Sequence, residues 1–225
     1  MNCVMGEADL VIDTCVNSPQ IMGLGGFPSA EMLEFVLQRA RGRRVLYDGT
    51  ASPQHGAPEL AADVTTLSFY PWPPADLREL ALSHDVILVG GGSTANMLAV
   101  WRVHGFDRIL RDAWESGVLL TGWSAGMICW FEAGVTDSFG PQLAGMRDGL
   151  GFLPGSACPH YDGEELRRPV YQRLVRDGFP AGIALDDAAG AHYVGTELHA
   201  VVAAAGSGGY AVRPEGETPL PVVEL

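Results

Sequence analysis

Two short apolar segments, each followed by a glycine-rich turn, constrain the fold of this chain most strongly. Residues 85–89 read DVILV and are followed by three glycines at 90–92, and residues 117–121 read GVLLT and are followed by GWSAG at 122–126. A short run that is apolar on both faces is typical of a parallel strand buried between helices. We therefore predict two central strands whose carboxyl ends lead into turns at one edge of a sheet.

Strand and helix patterns alternate along most of the sequence. Helices are predicted over 94–103 and 125–132, directly after the two turns, and a strand over 20–24 precedes a helix that Ser29 caps. This order predicts an α/β fold with a mostly parallel sheet and helices on both of its faces. After residue 182 the pattern changes to short strands, which predict a small β meander that closes the edge of the sheet.

The length of 225 residues fits one large α/β domain. Residues 1–19 show little periodicity and end in the breaker sequence Asn-Ser-Pro, so we expect an N-terminal extension followed by a single domain over 20–225. The start of the chain lacks a basic region followed by an apolar core, and no apolar run reaches the roughly 18 residues that span a bilayer. We therefore expect a cytoplasmic protein.

The chain is acidic, with a net charge of −13. Nucleic-acid binding depends on clustered Lys and Arg that displace counterions, so this charge argues against a nucleic-acid partner and against an anionic membrane surface. The four cysteines show neither a CxxC pair nor a zinc-ligand spacing, so we interpret them as reduced thiols. We predict no metal and no other cofactor, and the sequence leaves the oligomeric state open, a homodimer included.

The GWSAG sequence places Ser124 between a predicted buried strand and a predicted helix. On such a turn the small neighbours relieve crowding, and the serine hydroxyl is presented at the carboxyl edge of the sheet. The N–H group of Ala125 can then point at a developing oxyanion. The alternative is that Ser124 merely caps the helix, but the position of the motif favours a nucleophile.

The three glycines at 90–92 end the other central strand. The segment lacks the lysine of a phosphate loop and the spacing of a dinucleotide-binding loop. Because turns at one edge of a parallel sheet lie together, Gly91 and Gly92 are candidates for a second oxyanion donor beside Ser124. A plain tight turn is the alternative, and the sequence does not decide between the two.

A serine nucleophile needs a base, usually histidine, and an acid that orients the base. Of the six histidines, His160 is favoured because it lies in a predicted loop, where the catalytic groups of such sheets are found. Asp137, Asp186 and Asp187 are the candidate acids. Their spacing in the sequence does not choose among them.

These segments resemble the peptidase E, or aspartyl dipeptidase, family of serine peptidases, of which cyanophycinase is a relative. The resemblance runs from about residue 20 to the end of the chain, in the family's order. The matching segments are the glycines at 90–92 with Asn96, GWSAG at 122–126, Thr136-Asp137-Ser138, and Pro159-His160. The resemblance implies a fold like that of class I glutamine amidotransferases, with serine in the place of their nucleophilic cysteine.

The resemblance also implies a role for each site residue. Ser124 corresponds to the nucleophile and His160 to its base, while the glycine loop and the N–H of Ala125 correspond to the oxyanion hole. Asp137 matches an aspartate that has been assigned to the charge relay, and Asp187 falls where the family has a glutamate that can orient the histidine. We predict that Asp187 orients His160 and that Asp137 supports the substrate or the loop.

The substrates implied by the resemblance are small acidic peptides, above all dipeptides that begin with aspartate. Arg167 or Arg168 is predicted to bind that side chain through paired hydrogen bonds, and Asn96 is placed in the substrate site. The alternative for the two arginines is a solvated face of the helix predicted over 164–176. Two other functions stay open: hydrolysis of another acidic peptide or isopeptide, as by cyanophycinase, and ligand binding without catalysis.

Overall fold

The computed structural model describes residues 18–54 and 56–225, so most of the predicted N-terminal extension over 1–19 lies outside the described residues. The helices are α1 (Ala30–Leu37), α2 (Leu77–Leu82), α3 (Thr94–His104), α4 (Phe106–Glu115), α5 (Ala125–Ile128) and α6 (Arg167–Arg176). The strands are β1 (Gln20–Leu24), β2 (Arg44–Asp48), β3 (Asp63–Leu67), β4 (Val86–Val89), β5 (Leu119–Trp123), β6 (Phe131–Thr136), β7 (Ala144–Met146), β8 (Leu153–Cys158), β9 (Gly182–Leu185), β10 (Ala189–Val194), β11 (Glu197–Ala203), β12 (Gly209–Arg213), β13 (Gly216–Pro219) and β14 (Val222–Glu224).

Eight strands form the first sheet, in the order β14-β11-β10-β1-β5-β4-β2-β3. Strands β3, β2, β4, β5 and β1 pair in parallel. Strand β10 pairs antiparallel with both β1 and β11, and β14 pairs parallel with β11. The α/β class is confirmed, but the sheet is mixed, because the chain returns through the hairpin β10–β11 beside the central strand β1.

Helices cover both faces of this sheet, since alternate residues of the central strands point to opposite sides. Leu46, Ile87 and Leu120 belong to the apolar cluster that also contains residues of α3, α4 and α5. Tyr47 and Leu88 belong to a second cluster, which contains the buried face of α1. Helix α1 begins at Ala30 and is capped by Ser29, whose side chain accepts the N–H of Met32, as predicted.

A second sheet, not foreseen from the sequence, has six strands in the order β13-β12-β9-β8-β6-β7. The prediction of a helix over 125–132 was wrong in length, since α5 ends at Ile128 and β6 begins at Phe131. One face of the new sheet joins the large apolar cluster of the first sheet. On its other face, Tyr171 and Val175 of α6 pack with Val135 of β6.

The first sheet brings three loops to one edge. Strands β1, β4 and β5 run in the same direction, so the residues that follow Leu24, Val89 and Trp123 leave the sheet together. The predicted nucleophile and the predicted glycine loop both lie at this edge. Among residues 18–54 and 56–225, no helix has the length and the apolar character needed to cross a membrane.

Candidate active site

Ser124 occupies the single residue between β5 and α5. Its backbone has φ 55° and ψ −111°, outside the regions that non-glycine residues favour, and its side chain makes no capping hydrogen bond. Such strain, of about 1–3 kcal/mol, persists only where the surroundings enforce it. A side chain at Gly122 or Gly126 would overlap the carbonyl of Val89 at the end of β4. The small neighbours therefore allow the tight turn, and the alternative that Ser124 caps the helix finds no hydrogen bond to support it.

The glycine loop at 90–92 lies directly beside this serine. A Cβ at Gly91 would stand 3.2 Å from Cβ of Ser124 and 2.8 Å from Nε1 of Trp123. Gly92 has φ 137°, a conformation that side chains rarely adopt. Ala125 is the first residue of α5, so its N–H has no partner within the helix. The two predicted sources of oxyanion donors, this loop and Ala125, thus both lie next to Ser124.

Ser124 and His160 are held by consecutive residues, the last residue of β1 and the first residue after it. The N–H of Ser124 donates to the carbonyl of Leu24 over 3.3 Å, and the N–H of His160 donates to the carbonyl of Gly25 over 3.2 Å. His160 also has a positive φ, 54°. The main chain at the end of β1 therefore holds two residues that are 36 positions apart in the sequence at neighbouring positions.

The side chain of His160 is paired with Asp187. Nδ1 of the imidazole lies 2.5 Å from Oδ1 of the carboxylate. A carboxylate at Nδ1 favours the tautomer that carries its proton there, which leaves Nε2 free to accept a proton. In the described residues no hydrogen bond joins this histidine to the Ser124 hydroxyl, a looseness that is common before substrate binds.

Asp187 lies in a narrow slot between two glycines. A Cβ at Gly26 would stand 2.6 Å from its Oδ1, and a Cβ at Gly163 would stand 2.8 Å from its Cγ. Neither glycine was predicted from the sequence as part of the site. The signal that could have found Gly26 is the Gly25-Gly26 pair at the carboxyl end of β1, whereas Gly163 carries no comparable signal.

The other two candidate acids lie away from the imidazole. Oδ2 of Asp186 accepts the N–H of Gly208 over 2.8 Å on the opposite side of the strand end, and burial raises the pKa of Asp186. Asp137 is exposed, and within the described part of the chain its carboxylate has no hydrogen bond or ion pair. Its neighbour Ser138 accepts the N–H of Ala95 over 3.3 Å, which ties this loop to the start of α3.

The two arginines of α6 differ sharply in their surroundings. Arg167 is 3% exposed, and its guanidinium is bound to Glu164 over 2.7 Å and to the carbonyl of Val135 over 2.8 Å. Partial burial raises the pKa of Glu164, but hydrogen bonding and charge from Arg167 hold it below its ordinary value. Arg167 therefore lies on the buried side of α6 and links the helix to Val135 of β6. It does not belong to a solvated face of the helix, which was the alternative interpretation.

Arg168 is the more accessible of the pair. Its guanidinium lies over the rings of Tyr161 and Tyr210, 4.6 and 4.7 Å from their centres, and its Nε is 3.4 Å from Oε2 of Glu217. The side chain remains 43% exposed. Asn96, in the first turn of α3, is also exposed, and its N–H donates to the cap Ser93.

A small cavity opens beside Asp187. Its volume is about 140 Å³, and its walls include Leu24, Phe27, Met32 and the carboxylate-bearing residues Glu31 and Asp187. Phe27 is 67% exposed, and its ring makes an edge-to-face contact with Trp123, which precedes Ser124. The cavity thus combines an apolar wall with acidic groups.

Neither described cysteine competes with Ser124 as a nucleophile. Cys129 and Cys158 are free and fully buried. Burial raises the pKa of Cys158 to about 12 and that of Cys129 well above the ordinary value, so neither forms a thiolate near neutral pH. Within the part of the chain that the structure describes, no cluster of three or more His, Cys, Asp or Glu residues could hold a metal ion.

Comparison with known protein sequences adds two findings. The sequence model of peptidase family S51 matches residues 50–201, a segment that contains Ser124, His160 and Asp187. An uncharacterized peptidase of Bacillus subtilis (strain 168), YgaJ, is 40% identical over 225 aligned residues, which cover 91% of this chain and 97% of that protein.

Two crystal structures have the same fold. A Listeria monocytogenes EGD-e protein provisionally assigned as a peptidase E aligns with a TM-score of 0.60 and 16% identity, over 81% of this chain and 97% of its own. A peptidase from an acI-B1 actinobacterium aligns with a TM-score of 0.66 and 17% identity, over 92% of this chain and 96% of its own. At these identities the two structures show a shared fold.

Proposed function

Because this chain belongs to peptidase family S51, and is therefore a peptidase, we propose that it is a serine-type dipeptidase in which Ser124, His160 and Asp187 act together. One observation carries the proposal: a strained serine and a histidine–carboxylate pair are held by consecutive carbonyls, those of Leu24 and Gly25. The strand, elbow and short helix also support the inference that the core is of the class I glutamine amidotransferase type, with serine at the nucleophile position.

In the proposed reaction, Nε2 of His160 takes the proton of the Ser124 hydroxyl as its oxygen attacks the peptide carbonyl. Asp187 keeps the imidazole in the required tautomer and stabilises its charged form. N–H groups of Ala125 and of the loop containing Gly91 and Gly92 would bind the developing oxyanion. The imidazolium then protonates the leaving amine, and water releases the acyl group from Ser124 by the reverse sequence of proton transfers.

The substrate proposed is a small peptide with an N-terminal aspartate. Since both sides of the Arg167 guanidinium are already bound, Arg168 is the arginine we assign to the substrate carboxylate. Asn96 and Asp137 are exposed near the start of α3 and are proposed as further polar contacts. An aspartyl side chain would pair with the guanidinium through two parallel hydrogen bonds.

The test is a dipeptide panel combined with a serine-directed probe. Asp-Leu should be hydrolysed well, Asn-Leu poorly and acetyl-Asp-Leu not at all, and a fluorophosphonate should label the wild type at Ser124. Equal rates on Asp-Leu, Asn-Leu and Ala-Leu would refute the aspartate specificity. Absence of labelling together with turnover by Ser124→Ala would refute the serine mechanism.

A second candidate, hydrolysis of an acidic isopeptide as by cyanophycinase, is favoured by the cavity beside Asp187. Its apolar wall could hold the aliphatic stem of a long basic side chain, and Glu31 and Asp187 could face its positive end. A β-aspartyl-arginine dipeptide added to the panel separates the candidates. Faster turnover of this peptide than of Asp-Leu would favour the isopeptide.

A further inference from the structure

The hydrogen bond between Asp187 and His160 depends on contacts that hold the main chain of Asp187 in place. The carboxylate is 49% exposed, and the residue lies in the short turn between β9 and β10. A half-exposed carboxylate loses little by turning into water, because surface ion pairs are worth only about 0–1 kcal/mol. Its hydrogen bond to His160 therefore depends on how firmly the main chain of the turn is held.

The main chain of Asp187 is held at both ends. Its carbonyl accepts the N–H of Gly26 over 2.9 Å, and its N–H donates to Oδ1 of Asp162 over 2.8 Å. The carbonyl of Gly25, in turn, accepts the N–H of His160. Three segments, 25–26, 160–162 and 186–187, are thus linked in a closed ring of hydrogen bonds, and the bond made by Asp162 is the one that uses a side chain.

Asp162 is well placed for this task because it shares a turn with the base. The N–H of Glu164 donates to the carbonyl of His160 over 3.1 Å, and the N–H of Tyr161 donates to the carbonyl of Leu185 over 3.0 Å. These bonds fix the turn against the end of β9. A movement of Asp162 would therefore also move His160. The turn thus keeps the positions of His160 and Asp187 relative to each other unchanged.

We propose that Asp162 is a positioning residue, which fixes Asp187 against His160 by accepting the Asp187 N–H. The proposal rests on the serine mechanism described above. The feature required of Asp162 is an acceptor oxygen and not a negative charge, since a charge so close to Asp187 is repulsive. An asparagine offers the same oxygen without the charge, so it should serve as well as the native residue.

The test compares three variants on Asp-Leu, or on whichever peptide of the panel is turned over fastest. Asp162→Ala should lower kcat by about fivefold, the rate equivalent of one ordinary hydrogen bond, with KM within about twofold. Asp162→Asn should keep kcat within about twofold of the wild type. Glu165→Ala is the matched control: it removes an exposed carboxylate of the same segment that has no hydrogen bond or ion pair among the described residues, and should leave kcat unchanged.

Three outcomes decide the matter. Wild-type kcat in Asp162→Ala, or equal losses in the Ala and Asn variants, would overturn the positioning role. A raised KM with unchanged kcat in both would instead assign Asp162 to the substrate. Fluorophosphonate labelling of the wild type and the variants distinguishes the two proposals. A wild type that is active but unlabelled refutes the serine mechanism. Variants that are labelled and turn over substrate as fast as the wild type refute only the role of Asp162.

Discussion

Replacing Gly163 by alanine should damage catalysis far more than folding. The new Cβ would stand 2.8 Å from Cγ of Asp187, whereas carbon atoms in contact lie about 3.5–4.0 Å apart, so the carboxyl group has to move by about 1 Å. Oδ1 would move with it and lose its 2.5 Å contact with Nδ1 of His160. A misplacement of about 1 Å in a catalytic group can cost roughly 10²-fold, which is the fall in kcat we expect.

Folding should be nearly unaffected for two reasons. The backbone of Gly163 is not in the left-handed region, so alanine can adopt its conformation. The displaced atoms are the end of a half-exposed side chain, which can turn into solvent at a cost below about 1 kcal/mol. For a chain of this size that corresponds to a fall in Tm of about 2–4 °C at most.

The assay measures kcat and KM on the best peptide of the panel, with Tm from thermal unfolding. Gly208→Ala is the matched control, because its Cβ would lie 3.9 Å from Oδ2 of Asp186, an ordinary contact beside the other acid of the pair. Turnover by Gly163→Ala within twofold of the wild type, at unchanged Tm, would show that the carboxylate of Asp187 does not orient the base.

Three further predictions concern the proposed roles directly. Ser124→Ala should lose on the order of 10⁶ in kcat at unchanged Tm, as expected when a nucleophile is removed, and near-normal turnover would exclude the residue. Asp187→Asn should lose up to about 10⁴ in kcat because the imidazole takes the wrong tautomer, whereas Asp137→Asn should stay within about tenfold; the reverse order would move the orienting role to Asp137. Arg168→Gln should raise KM for Asp-Leu and narrow its advantage over Asn-Leu, and an unchanged ratio of kcat/KM for the two peptides would remove Arg168 from substrate recognition.

The central strands could be predicted because their sequences fit one kind of structure, a strand buried on both faces. Residues 85–89 and 117–121 are apolar on both faces, and β4 and β5 are found at Val86–Val89 and Leu119–Trp123. The glycine turns after them were placed at the same edge for the same reason. In these segments the local sequence pattern and the burial in the fold favour the same structure. Their secondary structure therefore depends little on which distant residues they contact.

The second sheet could not be predicted, because its strands depend on distant partners. Residues after Ile128 continue an apolar pattern that also suits a helix, and only the pairing of β6 with β8 and β7 makes them a strand. The same limit applies to Arg167. Its sequence neighbours suggest a charged helix face, but the carbonyl of Val135 that binds it lies 32 positions away.

Within the candidate site, the residues that take part were easier to predict than the residues they bind. His160 could be placed in a loop, but three aspartates competed for it, and only the turn geometry separates Asp186 from Asp187 on opposite sides of one strand end. The roles of Gly26, Gly163 and Asp162 depend on contacts across three segments. No spacing in the sequence encodes such contacts.

The close contact of Gly122 and Gly126 with the last carbonyl of β4 also has a consequence for folding. The serine turn is held in its strained shape by β4, and therefore cannot persist in a partly folded chain in which β4 has not yet docked on β5. Pairing of these strands closes a loop of about 30 residues, and such non-local pairing is generally slower than the formation of a local helix. We therefore expect the turn at Ser124 to take its strained shape only after β4 and β5 have paired.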